Sequence, residues 1–185
     1  NQGNASSPVG ATDEQSEKWN YDQEVQFPFG YGLSYTDFSF DLINKNEKED
    51  FFEFKIKVTN EGNFPGKEVV QMYMQSPYTD YDKANAIEKA AIQLVGFIKT
   101  SEIKPGESEE VLIEVPKSEL RTYDTKANDG KGTYIVEAGD YYFTAAKNSH
   151  DAIQQILMEK GFKNLDVKEG LVEKINLRET KTFEK

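Results

Sequence analysis

The chain holds no cysteine, one histidine and one tryptophan in 185 residues. Without cysteine there is no disulfide framework, no thiol nucleophile and no thiolate metal site. With His150 as the only imidazole, a Ser-His-Asp relay or a histidine-rich metal centre would rest wholly on one residue. That residue stands between Ser149 and Asp151 at the start of an expected helix, ordinary surface chemistry, and no catalytic role is assigned to it. Long apolar runs are also missing. None approaches the roughly 18 residues of a membrane-spanning helix, so no transmembrane helix is expected. Bases are scarce: 22 Lys and Arg against 33 Asp and Glu leave a net charge of −11 at pH 7. Nucleic-acid binders need a basic face, and anionic membrane surfaces attract basic segments, so neither partner is expected. Lys99, Lys104 and Lys117 read as separate solvated charges rather than a patch.

Aromatic residues, by contrast, are plentiful, with 12 Phe and 10 Tyr. A disordered acidic chain would lack them, so a packed core is expected. The length suits one sizeable domain with attachments, or two very small ones. Residues 1–26 read as a flexible polar leader, in which Trp19 is an anchoring side chain rather than a ligand-stacking one. The chain opens on Asn1 with no basic-then-apolar signal segment before it, which reads as a processed chain or a piece of a longer one. The compartment stays open.

Period-two alternation dominates the middle. Phe38, Phe40 and Leu42 alternate with Ser39 and Asp41, while Phe52, Phe54, Ile56 and Val58 alternate with Glu53, Lys55, Lys57 and Thr59. Further strands are expected over 67–75, 92–98, 111–115, 133–136 and 140–146, with Pro65-Gly66, Pro105-Gly106 and Asn128-Asp129-Gly130 as turns. Between them, 76–91 reads as a long irregular loop. Short strands with no crossover helices predict an all-β antiparallel sandwich of the immunoglobulin type over 27–147. Over 148–185 the pattern changes to a short helical extension and a charged tail. Ala152, Ile153, Ile156 and Leu157 recur at helical spacing over 149–160, with Asn148 or Ser149 as the cap and Gly161 as the stop.

Phe27 to Thr36 reads FPFGYGLSYT, with Gly30 and Gly32 set among aromatics. The string closely resembles the segment opening the C-terminal fibronectin type III-like domain of glycoside hydrolase family 3 enzymes, the β-glucosidases and β-xylosidases. The likeness continues in order along the chain. Val58-Thr59-Asn60-Glu61-Gly62 resembles the family's VTNTG, and Gly66 to Tyr73 its G-x-E-V-V-Q-L-Y strand. Leu94 to Phe97 is similar to L-x-G-F, and Lys104 to Ser108 to the K-P-G-E-S turn. Glu137 to Tyr141 resembles E-P-G-x-Y, with Ala138 in place of the usual Pro.

The resemblance implies a non-catalytic accessory domain. In that family a barrel supplies the Asp nucleophile and an α/β domain the acid/base, and neither motif occurs here. Retention needs two carboxyls roughly 5–5.5 Å apart across the scissile bond, and no Asp or Glu of this chain inherits such a role. The expected partners are therefore the catalytic domains of the same parent chain. Phe27, Phe29, Tyr31 and Tyr35 are the residues expected at that inter-domain face, exposed as an apolar patch when the partner is absent. Tyr78, Asp80, Tyr81 and Asp82 form a candidate loop for contact with a mono- or oligosaccharide. Tyrosine rings stack on apolar sugar faces while carboxylates accept hydroxyl hydrogens. The 80–82 spacing lacks the glycine and distal acid of an EF-hand, so no metal is assigned, and no cofactor is expected. Asp80, Asp82, Asp124 and Asp129 are all expected to be solvated. The competing reading is an independent carbohydrate-binding or adhesion module, which would need an exposed planar row of aromatics.

Overall fold

A computed structural model describes residues 25–163 and 171–183. Trp19 and nearly all of the leader lie outside those residues. The strands are β1 (Phe38–Glu47), β2 (Phe51–Asn60), β3 (Val69–Gln75), β4 (Gln93–Lys99), β5 (Ser108–Pro116), β6 (Thr122–Asp124), β7 (Thr133–Val136), β8 (Gly139–Ala146), β9 (Val172–Leu177) and β10 (Lys181–Phe183). Two helices interrupt them, α1 (Asp80–Asn85) and α2 (Ser149–Glu159), together with a 3₁₀ turn at Lys117–Leu120. One sheet has the order β1-β2-β5, the second β4-β3-β8-β9, and a small third one β10-β7-β6. Every pairing is antiparallel.

The core lies between the first two sheets. Phe52, Phe54, Ile56 and Val58 of β2 point inward, and so do Val111, Ile113 and Val115 of β5. Facing them are Val70, Met72 and Met74 of β3 with Tyr141, Phe143 and Ala145 of β8. The Phe143 ring packs tilted between Phe52 and Phe54, at 5.8 and 5.2 Å between centroids. Alternation fixes this register, because a one-residue slip would turn each apolar set to solvent.

Three differences from the sequence reading bear on function. First, β3 is buried on both faces, since Gln71 and Tyr73 are covered as well as the core-facing residues. Their cover comes from residues 29–30 and from α2. Asn148 caps α2 by accepting from the Asp151 amide at 3.0 Å, and Ala152 packs with Tyr73 and Ala146. On this helix Ala152, Gln155 and Ile156 are fully buried, whereas Ile153 and Leu157 are only half-buried. Second, the tail beyond α2 contributes to the sandwich. β9 pairs with β8 and β10 with β7, and Leu171 and Ile175 enter the core. The sandwich therefore does not end at 147. Third, the 76–91 loop contains a helical turn, α1, closed by a capping box between Thr79 and Asp82.

Candidate functional site: an aromatic docking face

Residues 27–35 form no strand, yet their backbone is fixed. The Gln71 side-chain amide donates to the carbonyls of Gly30 (3.0 Å) and Lys147 (2.6 Å), and its oxygen accepts from the Tyr73 hydroxyl at 2.6 Å. The Ser149 amide donates to the Phe29 carbonyl at 2.9 Å. Burial, then the nearby Asp151 charge, pushes the Tyr73 hydroxyl up to about 12, so it stays a protonated donor. Gly30 makes the close approach possible. Its φ is +81°, and a Cβ there would sit 2.1 Å from Gln71 Oε1.

Because the backbone faces the sandwich, the side chains face away. Phe27 is 62% exposed, Phe29 65%, Tyr31 46%, Leu33 90% and Tyr35 97%. Phe27 and Tyr31 stack on each other at 5.1 Å between centroids, and Phe97 of β4 stands exposed beside Tyr31 and Leu33 across a cleft of about 460 Å³. The result is an exposed apolar patch on a hydrogen-bonded backbone, a candidate docking face. Gln71 and Tyr73 belong to the Gly66–Tyr73 motif, but no site role was expected of them. Large side chains on both faces of β3 were the signal that could have shown it.

The segment is joined to the sandwich by Asn60, a fully buried side chain. It accepts from the Thr36 hydroxyl at 2.7 Å and from the Gly62 amide at 3.0 Å, and donates to the carbonyls of Phe64 and Ile103, each at 2.8 Å. Its backbone pairs with Gly106 and Glu107 of the Lys104–Ser108 turn. A Cβ on Gly62 would lie 2.2 Å from Thr36 Oγ1. Three motifs distant in sequence thus meet at one residue.

At the other end of the sandwich, the α1 loop holds the residues read as a sugar contact. Tyr78, Asp80 and Tyr81 are exposed there, but Asp82 is not. Its carboxylate accepts from Lys89 Nζ at 2.7 Å and from the Thr79 amide at 2.7 Å. Lys89 also bonds Glu137, and donates to the Pro77 carbonyl at 2.9 Å. The expectation that Asp82 is solvated therefore fails, and with it any direct sugar contact, because the carboxylate is fully buried, its Oδ2 holding the loop and its Oδ1 without a partner. Asp124 departs from expectation too. It is buried beneath Tyr81, whose hydroxyl donates to it at 2.7 Å. Burial raises the Asp124 carboxyl, yet the Tyr81 hydroxyl and the Lys126 and Ala127 amides outweigh it and hold the group below the usual range. In the last motif, the Tyr141 hydroxyl donates to the Glu137 carbonyl at 3.2 Å and accepts from its amide at 3.1 Å, a tyrosine corner. The Ala138 amide donates to Thr180 at 3.0 Å, a bond that proline could not make. His150 bonds Gln154 within α2. Among the described residues no group of three or more His, Asp or Glu is disposed to hold a metal ion, and no helix is long and apolar enough to cross a membrane.

The architecture and its pinned segment define an immunoglobulin-like sandwich module with a preformed apolar face. Residues 68–149 match the family model of the fibronectin type III-like domain. The chain is 37% identical over 129 residues to a β-glucosidase of Ruminococcus albus, covering 69% of this chain and 13% of that one. It is 33% identical over 144 residues to β-glucosidase A of Butyrivibrio fibrisolvens, covering 70% of this chain and 17% of that one. Its fold superposes on β-glucosidase 3B from Thermotoga neapolitana, solved with α-D-glucose, at a TM-score of 0.66 and 28% identity. That match covers 89% of this chain and 19% of the solved one. Residues 68–149 form a fibronectin type III-like domain, and over about 70% of its length the chain resembles glycoside hydrolase family 3 β-glucosidases. It spans less than a fifth of the length of these relatives.

Proposed function

We propose that the chain is a non-catalytic packing domain of a family 3 β-glycosidase, and that its partners are the catalytic domains of the same parent chain. The supporting observation is the 27–35 segment, whose backbone is hydrogen-bonded into the sandwich while Phe27, Phe29, Tyr31 and Tyr35 project away from it. Hydrolysis of terminal β-linked sugars is the activity of the parent, carried by carboxylates outside this chain. Among the described residues, the two buried aspartates offer no substitute. Asp82 is neutralised by a buried lysine, and Asp124 is held ionised by a hydroxyl and two amides. A general acid at neutral pH needs the opposite, a carboxyl kept protonated by an apolar pocket. Rate measurements with chromogenic β-glucoside and β-xyloside test this. The chain alone should give the buffer rate, and turnover abolished by changing Asp80 or Asp129 to Ala would overturn the reading.

Contact with a saccharide of the parent's site is a further part of the proposal, now confined to Tyr78, Asp80 and Tyr81. Their exposure on a loop held firmly by the Lys89 cluster supports it. The independent carbohydrate-binding module gains no support from the exposed Tyr123–Tyr134 pair, whose rings meet at 70° and offer no flat platform.

A further inference from the structure

The cleft beside the aromatic segment carries a charge opposite to that of the chain. It is lined by Lys67, Lys99 and Lys147 with Glu68 as its one acid, three cations to one anion in a protein of net charge −11. Lys67 and Lys99 are exposed and Lys147 is half-exposed. Glu68 is partly occupied, since its carboxylate accepts from the Val69 amide at 2.7 Å. None of the three lysines forms an ion pair among the described residues, a state they share with Lys48, Lys57, Lys104, Lys126 and Lys131; what sets them apart is that they line one cleft. Lysines left unmatched on an acidic chain, around a cleft containing exposed Tyr31, Leu33 and Phe97, form a rim whose charge has no partner within the sandwich.

We propose that this cleft and the aromatic segment form one continuous interface, specific for a partner surface with an apolar centre and an acidic rim, contributed by the remainder of the parent chain. The inference rests on the packing-domain reading and adds the partner's chemistry to it. Two observations select this occupant over a second copy of the chain. The chain spans under a fifth of its relatives' length, so a large covalently linked partner is the natural source of the missing surface. Two copies at −11 each would also repel one another over distances set by the ionic strength. Rim charges of this kind set orientation and encounter rate, while the aromatic centre holds the complex. The lysines thereby favour one docking orientation of an otherwise adaptable apolar patch.

The test joins this chain in solution with the parent segment that precedes it, produced separately, and measures their association by calorimetry at low and high salt. Sedimentation of this chain alone is measured in parallel. Three variants are compared after matching their melting temperatures to the parent sequence: Phe29→Ala with Tyr31→Ala, the charge reversal Lys67→Glu with Lys99→Glu and Lys147→Glu, and Lys104→Glu as an off-site control. The inference predicts that charge reversal weakens association about tenfold or more at low salt and that the loss shrinks at high salt. The aromatic variant should lose binding at both salts, and the control should match the parent sequence. Association that is unaffected by charge reversal but lost in the aromatic variant would overturn the acidic-rim inference and leave the packing-domain reading standing. Failure of the unaltered chain to associate would overturn both, and self-association through the patch would make a second copy the occupant.

Discussion

Asn60 shows how much of this fold can depend on one amide. Its side chain serves the segment entering β1 through Thr36, the turn after it through Gly62 and Phe64, and the β4–β5 connection through Ile103. Removing the amide takes the donor from the Phe64 carbonyl and the acceptor from the Thr36 hydroxyl and the Gly62 amide, while the Ile103 carbonyl keeps the Gly66 amide; a buried group left unpaired costs about 1–3 kcal/mol. Asn60→Ala should destabilise the domain by about 2–3 kcal/mol, read from urea midpoints at unchanged slope. Asp124 supports a pH prediction. Its folded pKa lies below the unfolded value near 4, so its contribution is present above that pH and is lost as pH falls through the folded value. Asp124→Asn should therefore melt below the unaltered chain at pH 7, and the difference should shrink below about pH 4. A constant difference across that range would place the effect of Asp124 in packing rather than charge. Neither role was visible in sequence, because Tyr81 and Asp124 stand 43 residues apart.

At the scale of elements, the α1 loop is held by a lysine set between two carboxylates. Asp82 lies on α1, Glu137 lies just before β8, and Lys89 bridges them from the loop's far side. Deleting one partner of a buried ion cluster is far costlier than replacing the whole cluster with apolar groups. Lys89→Ala should cost about 3–5 kcal/mol, while joint replacement of Asp82, Lys89 and Glu137 by apolar residues of similar size should cost clearly less, about 1–2 kcal/mol from the lost Thr79–Asp82 cap. Thermal melts of the two variants decide between this picture and a merely space-filling lysine. The strands themselves were largely legible. In β2 four apolar residues alternate with polar ones, and that pattern alone fixes its faces. The last two strands were not, because in Val172–Leu177 and Lys181–Phe183 the apolar positions are few and flanked by charge. Only pairing with β8 and β7 turns Ile175 inward. Helix α2 was legible in its extent and in the inward facing of Ala152 and Ile156, but not in that of Gln155, which is buried while Ile153 and Leu157 are only half-buried.

For the whole molecule, the two ends of the sandwich divide the work. One end is closed by the ion cluster and the small third sheet. The other presents aromatic rings on a backbone that Gln71, Tyr73 and Ser149 hold in place. The density of aromatics in FPFGYGLSYT made this face legible as a candidate, but its support lies on the outer face of β3, which period-two alternation assigns to solvent. The central claim is that the rings are covered by the rest of the parent chain. Hydroxyl-radical footprinting tests it most directly, by comparing oxidation of individual rings in this chain alone and in the parent enzyme. The account predicts that Phe27, Phe29, Tyr31, Tyr35 and Phe97 label rapidly in the isolated chain and are protected in the parent, while Tyr123 and Tyr134 label equally in both. Equal labelling of the first five in the two proteins would contradict it.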